Sequence, residues 1–267
     1  MLKTRVIPVL YLMNGLIVRS EGFTDFKVIG NPINELERLS EWLADEVVYL
    51  DITRDGDHDM GRSDHKVKDA GTDLISVLRA IAKVAFMPLA FGGRVRTLED
   101  VDAIIRNGAD KVVICSAAWR SPGLVEAAAQ KYGSQAVVVG IDVKREGEGH
   151  ALYIDQGRTR LDADPVDHAR AMEARGAGEI LLNSIDRDGS ADGYDLAIIR
   201  RMADALGVPV VAAGGVGAFS DFVEGVKDGG ASAVAAGNIF HFTEHSYKRA
   251  KQTLRAAGVN VRDPAGR

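Results

Sequence analysis

Cysteine is nearly absent from this sequence: Cys115 is the single one among 267 residues, so no disulfide can form within the chain. That usage is typical of a reducing compartment. Basic residues do not outnumber acidic ones, with 33 Lys and Arg against 38 Asp and Glu, which argues against a protein that wraps nucleic acid. No apolar run approaches the ~18–20 residues of a membrane helix, and the first residues lack the small-residue cleavage site of a signal peptide. We therefore expect a cytoplasmic protein with neither nucleic acid nor membrane as a partner.

The sequence does contain eight short, β-branched apolar runs that alternate with segments of helical spacing. Runs such as VVYL and EILL are continuously apolar, as parallel strands buried on both faces are. Eight such units in about 250 residues predict an α/β fold of the (β/α)₈ TIM-barrel type. A doubly wound sheet is disfavoured because no G-x-G-x-x-G follows the first strand. The predicted strands are Arg5–Leu12, Glu46–Ile52, Met87–Phe91, Lys111–Cys115, Ala136–Val143, Glu179–Ser184, Val210–Ala213 and Ala233–Ala236.

An internal repeat supports the barrel. Gly92-Gly93 and Ser116 recur as Gly214-Gly215 and Asn238, each 122 residues further along the chain. Such a repeat predicts one domain over residues 1–267, made of two half-barrels at about 1–133 and 134–260.

A second match, Arg54-Asp55-Gly56 with Arg187-Asp188-Gly189, has a longer spacing because the first half carries an added segment near residues 53–70. That segment contains His58, Asp59, Asp64 and His65. Their spacing matches no standard metal site, so we expect neither a metal nor another cofactor. The role of the added segment stays open.

The two glycine pairs follow strands and precede helices, which places them at the carboxyl ends of the barrel strands, where barrel proteins carry function. Glycine lets backbone N–H groups approach an anion, and a helix N-terminus adds a favourable dipole. Ser116 and Asn238 add side-chain donors beside the pairs. We expect two phosphate sites on opposite sides of one mouth. The alternative is a pair of tight turns with no ligand.

Acid–base chemistry needs titratable groups between those sites. Asp142 ends the fifth predicted strand behind apolar residues that can raise its pKa. The half-barrel repeat places Tyr11 opposite it. Asp51 closes the second strand and Asp188 follows the sixth, so both are candidate substrate contacts. For Asp51 the alternative is helix capping or loop hydrogen bonding.

These residues stand in strings that resemble the cyclase subunit of imidazole glycerol phosphate synthase over essentially the whole chain: RVIPVL, DEVVYLDIT, GADKV, YGSQAVVVGID, RGAGEILLNSIDRDG, AAGGVG and GVNVR. The resemblance implies a duplicated (β/α)₈ barrel that takes ammonia from a glutaminase subunit in a heterodimer. Its substrate is a phosphorylated small molecule, a bisphosphorylated ribulosyl carboxamide that is cyclised to imidazole glycerol phosphate.

Carried over residue by residue, the resemblance makes Asp142 one of two essential carboxylates. Two departures from the family pattern are Arg19, which replaces a lysine on a mobile first loop (here Leu16–Ile29), and Arg94, which replaces a third glycine. The positions that match phosphate contacts are Gly93, Ser116, Gly189, Gly215, Gly237 and Asn238.

The largest departure is Tyr11, which stands where the family carries its other essential aspartate. A phenol with a pKa of ~10 stays neutral near pH 7, whereas a carboxylate can exchange protons. We expect this loss to cost orders of magnitude in the family's reaction. The alternative is that Tyr11 packs in the upper barrel and a neighbour transfers the proton.

At the opposite end of the barrel the resemblance implies a charged ammonia gate formed by Arg5, Glu46, Lys111 and Glu179, with Asp110 at the glutaminase interface. Two positive and two negative groups at strand starts make physical sense, because buried charges are costly unless paired. The alternative is a structural ion-pair plug.

A chain that keeps the residues of the ammonia entrance but has an altered mouth resembles a divergent second group of cyclase-like proteins found with surface-polysaccharide genes. That resemblance implies a subunit that supports conversion of an N-acetyl to an acetamidino group on a sugar, with a sugar amidotransferase as a further partner. The alternatives are an authentic histidine-pathway cyclase and a noncatalytic scaffold that activates a glutaminase.

Overall fold

The computed structural model describes residues 3–53, 73–243 and 245–262. Within these ranges lie twelve strands and ten α-helices. The strands are β1 (Arg5–Met13), β2 (Leu16–Glu21), β3 (Asp25–Gly30), β4 (Val47–Asp51), β5 (Leu89–Gly92), β6 (Lys111–Ile114), β7 (Val137–Glu146), β8 (Gly149–Ile154), β9 (Thr159–Leu161), β10 (Glu179–Ser184), β11 (Val210–Ala213) and β12 (Ala233–Ala236). The helices are α1 (Pro32–Glu41), α2 (Leu74–Val84), α3 (Leu98–Arg106), α4 (Ser116–Arg120), α5 (Gly123–Tyr132), α6 (Pro165–Ala174), α7 (Leu196–Ala205), α8 (Phe219–Lys227), α9 (Asn238–Phe242) and α10 (Ser246–Ala256).

Eight of these strands form a closed parallel barrel. They pair in the order β1-β4-β5-β6-β7-β10-β11-β12, and β12 returns to β1, where Arg5 pairs with Ala233. Each is one of the strands predicted from the sequence, so the (β/α)₈ prediction is confirmed. Consecutive barrel strands need a crossover connection, and the helices supply it.

The apolar runs form two buried layers because strand side chains alternate between faces. Leu10 and Val6 of β1 point outward and pack with helix residues such as Leu36 and Leu39. The other face forms a smaller cluster inside the barrel, rich in alanine and valine: Ile7, Val9, Val48, Ala90, Val113, Val138, Leu181, Val211, Ala213, Ala233 and Ala235. The interior between the two ends of the barrel is therefore apolar.

Local signals set where the helices begin. The Asn31 side chain accepts from the Ile33 N–H at the start of α1, and proline fills the first helical position. At α3, Thr97 and Asp100 form a reciprocal capping box. These caps place each helix directly after a loop at the carboxyl end of a strand.

Two antiparallel extensions rise above the barrel, and the sequence predicted neither. The segment Leu16–Ile29, expected to be a loop, forms the β2–β3 hairpin, in which β2 pairs with the end of β1 at Tyr11 and Val18. β7 likewise continues into the β8–β9 extension, where Asp142 pairs with Tyr153. These short strands gain their hydrogen bonds from neighbouring barrel strands, which local sequence patterns do not reveal.

Several predictions lie outside the described residues: the Arg54-Asp55-Gly56 match, nearly all of the added segment 53–70, and the four histidines and aspartates within it. In the described part of the chain, every helix is too short or too polar to cross a membrane.

Candidate active site

A cavity of about 480 Å³ opens at the carboxyl ends of the barrel strands. Its floor is apolar and is formed by Val9, Leu181 and Ala213 from inside the barrel. Five of the predicted site residues line it: Tyr11, Asp51, Gly93, Ser116 and Asp142. Arg94, one of the departures from the family pattern, lines it as well. The barrel therefore brings together residues from five strands that are far apart in the chain.

Asp142 is the titratable carboxyl at the centre of this mouth. Burial and the negative charge of Asp188 raise its pKa to about 7, although a hydrogen bond from Asn183 opposes the shift. In that bond Asn183 Nδ2 donates to Asp142 Oδ1 over 3.4 Å. A carboxyl with a pKa near neutrality can both give and take a proton, as general acid–base catalysis requires.

Tyr11 faces the same cavity from β1. Its ring packs edge-on against Phe23 of the β2–β3 hairpin, with centroids 5.9 Å apart. Burial, together with the charges of Asp188 and Asp142, raises the pKa of the phenol well above its ordinary value. Tyr11 therefore stays neutral and does not replace the proton exchange of a carboxylate.

Asp188 supplies a second carboxyl close to these groups but beneath the hairpin. Ser20 Oγ donates to Asp188 Oδ2 over 2.5 Å, and Gly22 N–H donates to the Asp188 carbonyl over 2.9 Å. Burial raises its pKa to about 6, against hydrogen bonds from Ser20 and Phe23. Asp188 is thus an anchor for the hairpin, and it does not line the cavity.

The first glycine pair and Ser116 border the open side of the mouth. Gly93 has φ +90°, and a Cβ there would lie 2.1 Å from the carbonyl oxygen of Asp51, so only glycine fits. Ser116 Oγ accepts from the Asp155 N–H over 3.0 Å. Arg94 also has a left-handed backbone, with φ +59°, which is costly for a residue with a side chain. Gly92 packs tightly against Val113.

The Asp51 side chain makes loop hydrogen bonds, which was the alternative to ligand contact for this residue. Its Oδ1 accepts from Thr53 N–H over 3.1 Å and from Thr53 Oγ1 over 2.6 Å. It also lines the cavity, so loop bonding and ligand contact are compatible.

Two residues near the second glycine pair, Gly189 and Asn238, pack against the β2–β3 hairpin and do not line the cavity. Asn238 Nδ2 donates to the carbonyl of Ser20 over 3.3 Å. A Cβ on Gly189 would lie 2.5 Å from that same oxygen. Arg19 pairs with Glu21 on the hairpin and lies 5.8 Å from the ring of Phe242. The predicted phosphate- or substrate-binding residues outside the cavity lining are Arg19, Gly92, Asp188, Gly189, Gly214, Gly215, Gly237 and Asn238.

At the opposite, amino end of the barrel, the four predicted gate residues form one ion-pair ring, which we call the entrance cluster: Arg5, Glu46, Lys111 and Glu179. Arg5 pairs with both glutamates, and Lys111 Nζ lies 2.7 Å from Glu46 and 3.0 Å from Glu179. Burial opposes ionisation of Glu179, but Arg5 and Lys111 outweigh it and lower the pKa of Glu179. Every charge in the ring is thus compensated.

Asp110 lies at the same end of the barrel, directly before β6. Its Oδ2 accepts from the Leu89 N–H over 2.8 Å, and its own N–H donates to the Leu89 carbonyl. The Asp110 side chain therefore links the start of β5 to the residue before β6.

Sequence reasoning missed Asn183 as a site residue. It lies within the matched string RGAGEILLNSIDRDG, two residues beyond an interior leucine. Since alternate residues of a strand share a face, Glu179, Leu181 and Asn183 point into the barrel at the entrance, the middle and the mouth. That alternation was the available signal.

Comparison with known families agrees with this geometry. The model of the histidine biosynthesis protein family matches residues 5–246, from the first residue of β1 to the first of α10. The match spans nearly the whole chain and includes all eight barrel strands. This (β/α)₈ barrel therefore belongs to the histidine biosynthesis protein family, whose members are typically isomerases and cyclases.

Proposed function

We propose that this chain is the ammonia-receiving, synthase-type subunit of a glutamine-dependent amidotransferase, and that it supports amidation of a sugar. The entrance cluster carries the proposal. Two cations and two carboxylates close the amino end of an apolar barrel interior, with Glu46 and Glu179 side chains only 3% and 8% exposed.

The interior above the cluster suits a neutral passenger. Small apolar residues such as Ala90, Ala233 and Ala235 line it up to the cavity floor. Moving an ion through such surroundings is far more costly than moving a neutral molecule. Ammonia can therefore cross where ammonium and other ions are excluded.

The amino end also offers a surface for a glutaminase partner. Phe86 precedes β5 and is 88% exposed, and Leu43 precedes β4 and is 41% exposed. Leu43 lies near the start of β4 beside Glu46, and Phe86 lies before β5, the strand between β4 and β6 in the barrel. Exposed aromatic and aliphatic side chains are common anchors of protein interfaces. A heterodimer formed here delivers ammonia directly above Glu46 and Glu179.

The mouth supports an acceptor other than the histidine-pathway intermediate. Asp142 supplies one group that exchanges protons near neutral pH, and Tyr11 supplies none. Gly93 and Ser116 line the cavity and are available to a phosphorylated ligand, while Gly189 and Asn238 pack against the hairpin. A sugar amidotransferase is the further partner in this proposal.

One observation favours authentic histidine-pathway cyclisation as a second candidate. Asp188 has a pKa raised to about 6 and acts electrostatically on both Tyr11 and Asp142. It is a second titratable carboxyl near the mouth once the hairpin moves.

The test is to combine the purified chain with each glutaminase-type subunit of its source organism and to measure glutamine hydrolysis, then sugar amidation, then cyclisation of the bisphosphorylated ribulosyl carboxamide. We expect stimulated hydrolysis and sugar amidation, without cyclisation. Efficient cyclisation identifies a histidine-pathway cyclase. Sugar amidation that survives Asp142→Asn identifies a scaffold. Absence of any stimulation contradicts the proposal.

A further inference from the structure

Among the described residues that line the mouth cavity, four are arginines, and they share one side of it. Two follow β5, one ends α4 and one lies in the turn between β8 and β9; we call them the arginine group: Arg94, Arg96, Arg120 and Arg158. Across the barrel, the lining residues of β10 and β11 are uncharged: Leu181, Asn183 and Ala213. Positive charge is therefore gathered beside Gly93 and Ser116.

Hydrogen bonds through Asp155 tie part of the arginine group to Ser116. Arg120 Nη2 lies 2.5 Å from Asp155 Oδ2, and Arg158 Nε donates to the Asp155 carbonyl over 2.9 Å. The Asp155 N–H donates in turn to Ser116 Oγ over 3.0 Å. Two guanidinium groups and one hydroxyl therefore surround a single residue of the β8–β9 turn and border the same cavity.

Carboxylates compensate only part of this positive charge. Asp155 pairs with Arg120, whose side chain is still 57% exposed. Neither Arg96 nor Arg158 has a carboxylate partner for its guanidinium among the described residues. Guanidinium groups bind phosphate oxygens through paired N–H donors, so exposed guanidinium groups beside a cavity favour an anionic ligand.

The buried part of the cavity has a different chemistry. Asp51 is only 2% exposed, and Asp142 accepts a hydrogen bond from the buried Asn183. Both carboxyl groups lie above the apolar floor. Carboxylates accept hydrogen bonds from hydroxyl groups, and they repel phosphates. The buried part therefore suits the hydroxyl groups of a sugar, whereas the exposed part suits phosphates.

We propose that this cavity binds a glycosyl diphosphate, as found in nucleotide-activated sugars, and that this ligand is the sugar acceptor of the proposed function, on which the inference rests. The two adjacent phosphates contact the arginine group, and the sugar hydroxyls contact Asp51 and Asp142. The nucleoside extends past the exposed arginines into solvent.

The one-sided charge distinguishes this ligand from one that carries a phosphate at each end. Such a ligand needs donors on both sides of the mouth. However, β10 and β11 line the cavity without a cation, and Gly189 and Asn238 pack against the β2–β3 hairpin. Two phosphates joined by one oxygen instead place both negative charges at the arginine group, where the potential is most positive.

Isothermal titration calorimetry of the isolated chain, without divalent cations and at constant ionic strength, tests the phosphate arrangement. The probes are UDP-N-acetylglucosamine, N-acetylglucosamine 1-phosphate and ribulose 1,5-bisphosphate. We expect UDP-N-acetylglucosamine to bind about tenfold more tightly than either of the others, because only its two phosphates are adjacent. Equal or tighter binding of ribulose 1,5-bisphosphate overturns the inference, and so does equal binding of the monophosphate.

Arginine variants assign the phosphates to their partners. We expect Arg96→Gln and Arg158→Gln each to weaken UDP-N-acetylglucosamine binding about fivefold, as the loss of one exposed charge pair predicts. Arg160→Gln is the matched control, because Arg160 is two residues beyond Arg158, pairs with Glu146 at 3.0 Å and lies outside the cavity lining. Equal weakening in all three variants indicates nonspecific attraction and overturns the inference, as does parent-like binding in all three.

Asp51→Asn tests the sugar contacts. Asparagine keeps the Oδ1 that accepts from Thr53, so the loop hydrogen bonds survive. We expect the affinity for UDP-N-acetylglucosamine to fall about threefold. The affinity for UDP, which lacks the sugar, stays equal or rises because a negative charge is removed. A parallel loss for both ligands, or an unchanged affinity for UDP-N-acetylglucosamine, overturns the placement of the sugar.

These titrations need neither a glutaminase nor ammonia, so their failure is distinguishable from failure of the proposed function. Glutaminase stimulation without preferential binding of UDP-N-acetylglucosamine overturns this inference alone. Preferential binding without stimulation of any glutaminase overturns the proposed function and leaves the glycosyl diphosphate site.

Discussion

The two ends of this barrel treat buried charge in opposite ways. At the entrance, Arg5 and Lys111 compensate Glu46 and Glu179 in a closed ring. At the mouth, burial raises the pKa of Asp142 to about 7, with a further contribution from the charge of Asp188, and burial raises the pKa of Asp188 to about 6. Compensated charge stabilises one arrangement, whereas uncompensated carboxyls are kept at a cost in stability and exchange protons at neutral pH. The contrast supports the proposal that chemistry takes place at the mouth and that the entrance cluster acts as a gate.

A second contrast divides the mouth itself. In the first half, Gly93 and Ser116 line the cavity, while in the second half Asn238, the counterpart of Ser116, donates to the β2–β3 hairpin and lies outside the cavity lining. The repeat in the sequence is nearly symmetric, but the structure is not. A duplicated backbone can therefore present two different surfaces when one long loop folds over one copy.

The largest expected effect on stability comes from removing a carboxylate from the entrance cluster. Glu179→Leu removes one carboxylate and leaves Arg5 and Lys111 to share Glu46, which lowers the free energy of unfolding by about 3–5 kcal/mol. Denaturant unfolding at pH 7 measures the change. The control is Glu126→Leu, because Glu126 is 52% exposed and pairs with Arg175 at 3.6 Å, so its loss costs at most about 1 kcal/mol. Equal losses in the two variants would contradict a buried, mutually dependent ring.

The next largest effect is expected from a substitution that adds a negative charge to the mouth. Tyr11→Asp places a third carboxyl beside Asp142 and Asp188, and we expect it to destabilise the protein by about 1–3 kcal/mol more at pH 8 than at pH 5. Tyr11→Asn creates a similar void without the charge and serves as the control.

We also expect Tyr11→Asp, but not the parent, to restore growth of a histidine auxotroph. Growth supported by the parent would show that the altered mouth still cyclises the histidine-pathway intermediate.

A smaller effect removes charge from the mouth. The raised pKa of Asp142 means that its stabilising contribution is complete below the ordinary carboxyl pKa and is lost as the pH rises through about 7. Asp142→Asn should therefore melt a few degrees above the parent at pH 8 and close to it at pH 4. Thermal unfolding across that range tests the sign. Asp25→Asn is the control, since Asp25 is 54% exposed and the substitution removes a carboxylate without changing the buried mouth. A difference that grows toward low pH would reverse the assignment.

The smallest expected effect concerns the backbone strain at Arg94, next to the first glycine pair. Arg94→Gly relieves a left-handed backbone and should raise the free energy of unfolding by about 0.5–1 kcal/mol. Arg96→Gly, two residues on and outside the left-handed region, should lower it by about 0.5–1 kcal/mol. If Arg94 contacts the ligand, inorganic phosphate binds more weakly to Arg94→Gly than to the parent. Unchanged phosphate affinity would leave the strain at Arg94 unexplained by ligand binding.

Much of the barrel was readable from sequence because its signals are local. Runs such as EILL carry the mark of a doubly buried strand, and all eight barrel strands were predicted. The entrance residues came from the resemblance to the cyclase subunit. Each stands at or near a strand start, so a parallel barrel brings them to one end. The β2–β3 hairpin escaped because its strands gain stability from pairing with β1 rather than from their own pattern.

The sequence by itself determined the closed barrel, the residues at its two ends and the absence of a carboxylate at position 11, since these follow from periodicity and residue identity. Only the tertiary structure decided which glycine group is open, that Ser20 anchors on Asp188 across 168 residues of chain, and that Asn183 Oδ1 lacks a partner among the described residues. Those properties depend on which groups folding brings into contact and removes from water. No local pattern encodes such distances, because burial and pairing are set by the whole packed chain.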